Sequence, residues 1–120
     1  MKLWIDDVRP APEGYVWCKS VNEIIRVINQ AEDVVQKMKQ NEEKREFYAS
    51  IMLVDSLEIE LIDIDHDAGD YASDGGDYIK LLDWLEETGR NYPIRIHSMN
   101  PVGVENMRRI IQKNDWREIK

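Results

Sequence analysis

Ile59-Glu60-Leu61-Ile62-Asp63-Ile64-Asp65-His66-Asp67 is an isoleucine-rich run that stops in an acid–histidine–acid triplet and passes into a polar loop, Ala68 to Gly76, holding three glycines. A short β-branched run bounded by turn residues predicts a strand, here Ile59 to Ile64. Upstream, Ile51 to Val54 has the same character, and Lys2-Leu3-Trp4-Ile5 is an apolar strand that stops at Asp6-Asp7. The prolines and glycine of Arg9-Pro10-Ala11-Pro12-Glu13-Gly14 predict a loop, and Tyr15-Val16-Trp17-Cys18 a second strand. Ser20 and Glu23 have capping-box spacing, and Val21, Ile24, Ile25, Ile28, Ala31, Val35 and Met38 recur on one helical face. From Gln36 to Glu46 the chain is nearly all polar, a solvated helix end or surface excursion.

Downstream, Tyr78, Leu81, Leu82 and Leu85 predict an amphipathic helix ending near Gly89. Ile94-Arg95-Ile96 is a further strand closing on His97-Ser98, and Asn100-Pro101 opens a helix whose apolar face is Val104, Met107 and Ile111. Trp116 to Lys120 predicts a last edge strand. Strands alternating with amphipathic helices imply an α/β fold with a mainly parallel central sheet. Ligands bind such sheets beyond the carboxyl ends of the strands. Asp6-Asp7, Asp65-His66-Asp67 and His97-Ser98 should therefore converge on one rim.

The 120 residues suit one domain, 1–120, with a net charge of −8 and 42% hydrophobic content. That composition fits neither disorder nor a membrane class, and the acidity opposes non-specific nucleic-acid binding. The single cysteine, Cys18, excludes an internal disulfide framework and a multi-cysteine zinc cluster, and is expected to be buried. No signal peptide or spanning run is evident, so the expected location is cytoplasmic. Residues 55–87 hold twelve acids against one base, Lys80, which leaves the rest of the chain net positive. Such crowding costs self-repulsion unless the carboxylates are solvated, paired or bound to a cation.

Asp6 and Asp7 could start a turn or hold a hard divalent cation. Asp65 and Asp67, alternate residues of an extended segment, could both point at the same ion. His66 and His97, the only histidines, suit proton transfer, metal ligation or structural hydrogen bonding. Ser98, Asn100 and the helix N-terminus form a candidate anion site, and Gly103 leaves backbone uncovered there. Arg9 could pair with Asp7 or contact a phosphate. The four tryptophans read as packing, since their basic neighbours are too scattered for a base-stacking platform.

An acid pair after the first strand and an aspartate after a central one resemble response-regulator receiver domains, which bind magnesium and accept phosphate there. Receivers do not usually carry these histidines, and they place a lysine after a fifth strand where this chain offers only Lys120. Ile5-Asp6-Asp7-x-Arg9-x-x-Pro12, Ile64-Asp65-His66-Asp67-x-Gly69, Gly76-Asp77-Tyr78 and His97-Ser98-Met99-Asn100-Pro101-Val102-Gly103 together more closely resemble the cyclic-phosphate processing receiver-like domains. The two-histidine phosphoesterases are excluded, because neither His66-Asp67-Ala68 nor His97-Ser98-Met99 has their His-x-Ser/Thr pattern.

The resemblance implies a flavodoxin-like three-layer sandwich, truncated at the C-terminus. It also implies a phosphoesterase using Mg²⁺ or Mn²⁺ on cyclic phosphates of RNA ends, nucleotides or ADP-ribose. Asp6, Asp7, Asp65 and Asp67 would hold the metal; His66 and His97 would move protons, either in either role. Arg9, Ser98, Asn100 and Gly103 would hold the phosphate. The alternatives are a non-catalytic module binding a metal or phosphorylated ligand, and a signalling receiver phosphorylated on Asp65.

Overall fold

Four strands, Lys2–Ile5 (β1), Tyr15–Cys18 (β2), Leu61–Ile64 (β3) and Ile94–Ile96 (β4), pair in parallel in the order β2-β1-β3-β4. The computed structural model describes residues 1–40 and 56–120. The strand predicted at Ile51–Val54 lies outside these residues. The helices are Val21–Gln40 (α1), Ile79–Glu87 (α2) and Pro101–Lys113 (α3), with a 3₁₀ turn at Gly69–Ser73. The predicted edge strand at Trp116–Lys120 contracts to one parallel bridge, Glu118 with Ile94. This is the receiver-like α/β architecture, built on a parallel sheet, that the sequence predicts.

Strand register separates the two faces of the sheet. Leu3, Ile5, Ile62, Ile64 and Ile94 share one face and are fully buried with Leu81, Leu82, Leu85 and Met107 of the helices. Trp17, Trp4, Asp63 and Arg95 form a row on the opposite face. The connections β2–α1–β3, β3–α2–β4 and β4–α3–Glu118 all advance in the same direction across the sheet. Right-handed crossovers advancing one way stack their helices on one face. Consistently, α2 packs against both α1 and α3.

Only the β1–β2 connection runs the other way, and it carries no helix. Its loop, residues 6–14, returns over the opposite face, where Trp4 Nε1 donates to the Arg9 carbonyl at 2.9 Å. A four-residue strand is about 13 Å long, so this short loop suffices to bring the chain back. Sheet and one helical layer thus supply two layers of the predicted three-layer sandwich. Among the described residues, the place of the other layer is taken by the loop and by side chains on the sheet.

The helix predicted after Ser20 is anchored as its capping residues imply. Ser20 Oγ accepts the Glu23 N–H at 3.1 Å and donates to Asp74 Oδ2 at 2.6 Å, tying α1 to the loop after β3. Hydrogen bonds from Ser20 and Asn22 hold the Asp74 carboxyl below its usual range. Gly89, at φ +69°, ends α2 where the sequence predicts. The buried Cys18 thiol is pushed up to about 12 by burial and by Glu23. Ser20→Ala is expected to cost about 1 kcal/mol through the lost cap. The Asp74 contribution is present above the ordinary carboxylate pKa and fades as pH falls below it. The variant's deficit in urea melts should therefore shrink on acidification.

Candidate active site

The carboxyl ends of β1, β3 and β4 meet on one rim, and Asp6 is its buried centre. Asp6 Oδ1 accepts the N–H groups of Val8 at 2.9 Å and Arg9 at 2.8 Å, while Oδ2 lies 2.9 Å from His97 Nε2. Burial pushes this carboxyl up, but those backbone N–H groups and His97 outweigh it and hold the pKa below the ordinary value. Trp17 Nε1 donates to the Asp6 carbonyl at 2.8 Å. The turn and the ligand readings of Asp6 are therefore compatible, since each carboxylate oxygen has lone pairs for more than one partner.

Asp6, Asp7 and Asp65 each offer an oxygen within 4.8 Å of the other two. Burial raises the Asp7 pKa, and the negative charges of Asp6 and Asp65 raise it further. Gly69, at φ +55°, backs onto Asp7; a Cβ there would sit 2.4 Å from Asp7 Oδ2. The three clustered carboxylates form an all-oxygen donor set of the kind that suits Mg²⁺ or Mn²⁺. Asp67 is not in this group. The backbone bends at His66, and Asp67 Oδ1 instead lies 2.9 Å from His66 Nδ1.

The two histidines leave the rim on opposite faces of the sheet. His97 stacks on Trp4, on the face without helices, with ring centroids 3.8 Å apart and planes 5° from parallel. Its Nδ1 lies 2.7 Å from Asp63 Oδ1, so both ring nitrogens face buried carboxylates. His66 packs on the helical face against the first turn of α3, where a Cβ on Gly103 would come within 2.4 Å of its ring. Its Nε2 makes no hydrogen bond to any described residue.

The candidate phosphate ligands divide similarly. Val8, Arg9, Asp65, Asp67, Ser98, Met99 and Asn100 line one cleft. Arg9 Nη1 makes only a long 3.5 Å contact with the His97 carbonyl, leaving its side chain exposed. Ser98 Oγ accepts the Asn100 N–H at 3.1 Å. Asn100 caps α3, accepting the Gly103 N–H at 3.0 Å, with its amide nitrogen 3.5 Å from His66 Nδ1. Gly103 is buried and its N–H is used in that cap, so its missing side chain makes room for His66 and offers nothing to a ligand. Asp63 and Trp4 are the site residues that sequence reasoning missed.

A family model for the cyclic-phosphate processing receiver domain matches residues 1–113. The chain belongs to that family. No curated protein and no solved structure matches it.

In this receiver domain the motif residues outside the rim act as fasteners. Tyr78 N–H donates to the His66 carbonyl at 3.2 Å, and Tyr78 Oη reaches the Lys19 carbonyl at 2.7 Å. Asp77 Oδ1 accepts the Ala68 N–H at 3.2 Å. Together they hold the loop after β3, and with it the Asp67–His66 pair. Asp7 supplies a test of the acid cluster. A carboxyl whose folded pKa is raised stabilises the fold below its unfolded value, and this is lost as pH rises through the folded value. In chelator at neutral pH, Asp7→Asn should therefore melt above the wild type. Excess Mg²⁺ or Mn²⁺ should reverse the order, stabilising the wild type by about 2.7 kcal/mol at 100-fold over Kd. Calorimetric melts with and without the ion check both halves.

Proposed function

We propose that this receiver domain is a phosphoesterase that opens cyclic phosphates, of RNA ends, nucleotides or ADP-ribose, to monoesters. The observation that carries this reading is the grouping of Asp6, Asp7 and Asp65 at the strand end that carries His66, whose Nδ1 faces a carboxylate and whose Nε2 bonds to no described residue. Asp6, Asp7 and Asp65 would hold Mg²⁺ or Mn²⁺, which when bound offsets phosphate charge and acidifies a bound water.

Asp67 orients the His66 ring and favours the proton on Nδ1, leaving Nε2 as the base. The water oxygen forms a bond to phosphorus as Nε2 takes its proton, and the ester P–O bond of the ring breaks. The proton then passes from Nε2 to the released alkoxide, so His66 ends as it began. The exposed Arg9 guanidinium and the Ser98 hydroxyl are suited to the non-bridging oxygens. His97, held on both nitrogens by buried carboxylates, serves the site by holding Asp6.

Phosphorus NMR on 2′,3′-cyclic nucleotides and ADP-ribose 1″,2″-cyclic phosphate, with Mn²⁺ or Mg²⁺ and with chelator, tests the reading. A cyclic signal should convert to a monoester only with the ion. His66→Gln should lower the rate by about 10²- to 10⁴-fold with Mn²⁺ affinity kept, the range for a general base. Gly103→Ala, which drives a methyl into the His66 ring, should lower the rate and leave the ion bound. Bound ion without turnover would point instead to a ligand-binding module. Labelling of Asp65 by a small phosphoryl donor would point to a signalling receiver.

A further inference from the structure

Of the charged side chains inside the strands, Lys2, Asp63 and Arg95, only Asp63 is buried. A buried carboxylate is costly unless it is paired and hydrogen-bonded. Its oxygens are divided. Oδ2 has a long contact, 3.5 Å, with the partly exposed Arg95 Nη1, whereas Oδ1 makes the short one, 2.7 Å, with His97 Nδ1. Trp4 stacks flat on the same ring, and the ring's other nitrogen meets Asp6 Oδ2. Asp63, His97 and Asp6 thus form an unbroken line from the interior of β3 to the acid rim.

We propose that Asp63 is a positioning residue for the metal centre. Carboxylate torsions are broad and roughly two-fold, so the orientation of Asp6 depends on what holds its oxygens. Oδ1 is held by two backbone N–H groups and Oδ2 by His97. Asp63 keeps the imidazole turned so that Nε2 meets Oδ2, which leaves the remaining lone pairs of Asp6 for an ion shared with Asp7 and Asp65. Outer partners of this kind typically change metal affinity by about 10- to 100-fold. The inference rests on the reading of Asp6, Asp7 and Asp65 as a metal centre, and its test separates the two.

The experiment is Mn²⁺ binding by titration calorimetry and electron paramagnetic resonance, with ¹⁵N NMR of the His97 ring in the metal-free protein. Asp63→Ala should weaken Mn²⁺ binding about tenfold and change the His97 Nδ1 signal. Asp63→Asn, which keeps an oxygen acceptor, should restore most of the affinity. Arg95→Ala, which touches only the other oxygen, should bind as the wild type does. If Asp63→Ala does not fold, Asp63→Ser, too short to reach the ring, is read in its place. Wild-type affinity in the folded variant overturns the proposal, even if its melting temperature falls, since that describes a merely structural residue. In that outcome a loss of binding in Asp7→Asn leaves the metal centre standing. A wild-type protein that binds no Mn²⁺ overturns both.

Discussion

The site depends on a carboxylate placed where water cannot reach it. Asp6 follows a strand whose inward side chains are fully buried, and its own side chain is fully buried too. A charge in that position is tolerable only if every lone pair that loses water gains a donor. The donors come from the turn immediately after it and from a histidine on another strand. That requirement bends residues 6–9, brings Arg9 over Trp4 and ties β1 to β4. The rest of the rim is arranged around it.

Satisfying Asp6 leaves Asp7 to face the opposite problem. Among the described residues no cationic side chain pairs with it, and burial together with the nearby carboxylates raises its pKa. Asp6 is held on both oxygens by protein groups, while the neighbouring Asp7 faces two further carboxylates. The histidines divide in parallel fashion: His97 meets carboxylates on both sides, whereas among the described residues His66 is held through Nδ1 alone. A single rim therefore has one half, on the face that carries Trp4 and Asp63, whose histidine is fastened on both nitrogens, and another half beneath α3.

Much of this was legible in the sequence. Apolar runs ending in Asp6-Asp7, Asp65-His66 and His97 place those residues at strand ends, because a chain that buries an apolar run brings the polar residues after it to the edge of the core. The capping of α1 and α3 by Ser20 and Asn100 was legible for the same local reason. Asp67 was assigned to the ion because alternate residues of an extended chain face alike, but the chain bends at His66 and the rule no longer holds. The division of the histidines between two faces depends on register across the sheet, which is a property of pairing and not of any local stretch. Asp63 was hidden among twelve acids, although a charge inside the apolar run Leu61–Ile64 was the signal. That the described helices share one face was hidden because a nine-position proline loop between β1 and β2 does not show in sequence which face it crosses.

The all-parallel sheet also dictates when the site can exist. No two of its strands form a hairpin, and β1, nearly the first segment of the chain, lies between β2 and β3, pairing Lys2 with Leu61. Non-local pairings of this kind close late, after their loop entropy has been met. Until β3 docks, the carboxylate of Asp6 has only its own turn for company; until β4 docks, it has no histidine. A chain in which β3 and β4 have not docked therefore lacks most of the contacts that define the rim. The full set of partners around Asp6 is present only when the ends of β1, β3 and β4 lie together.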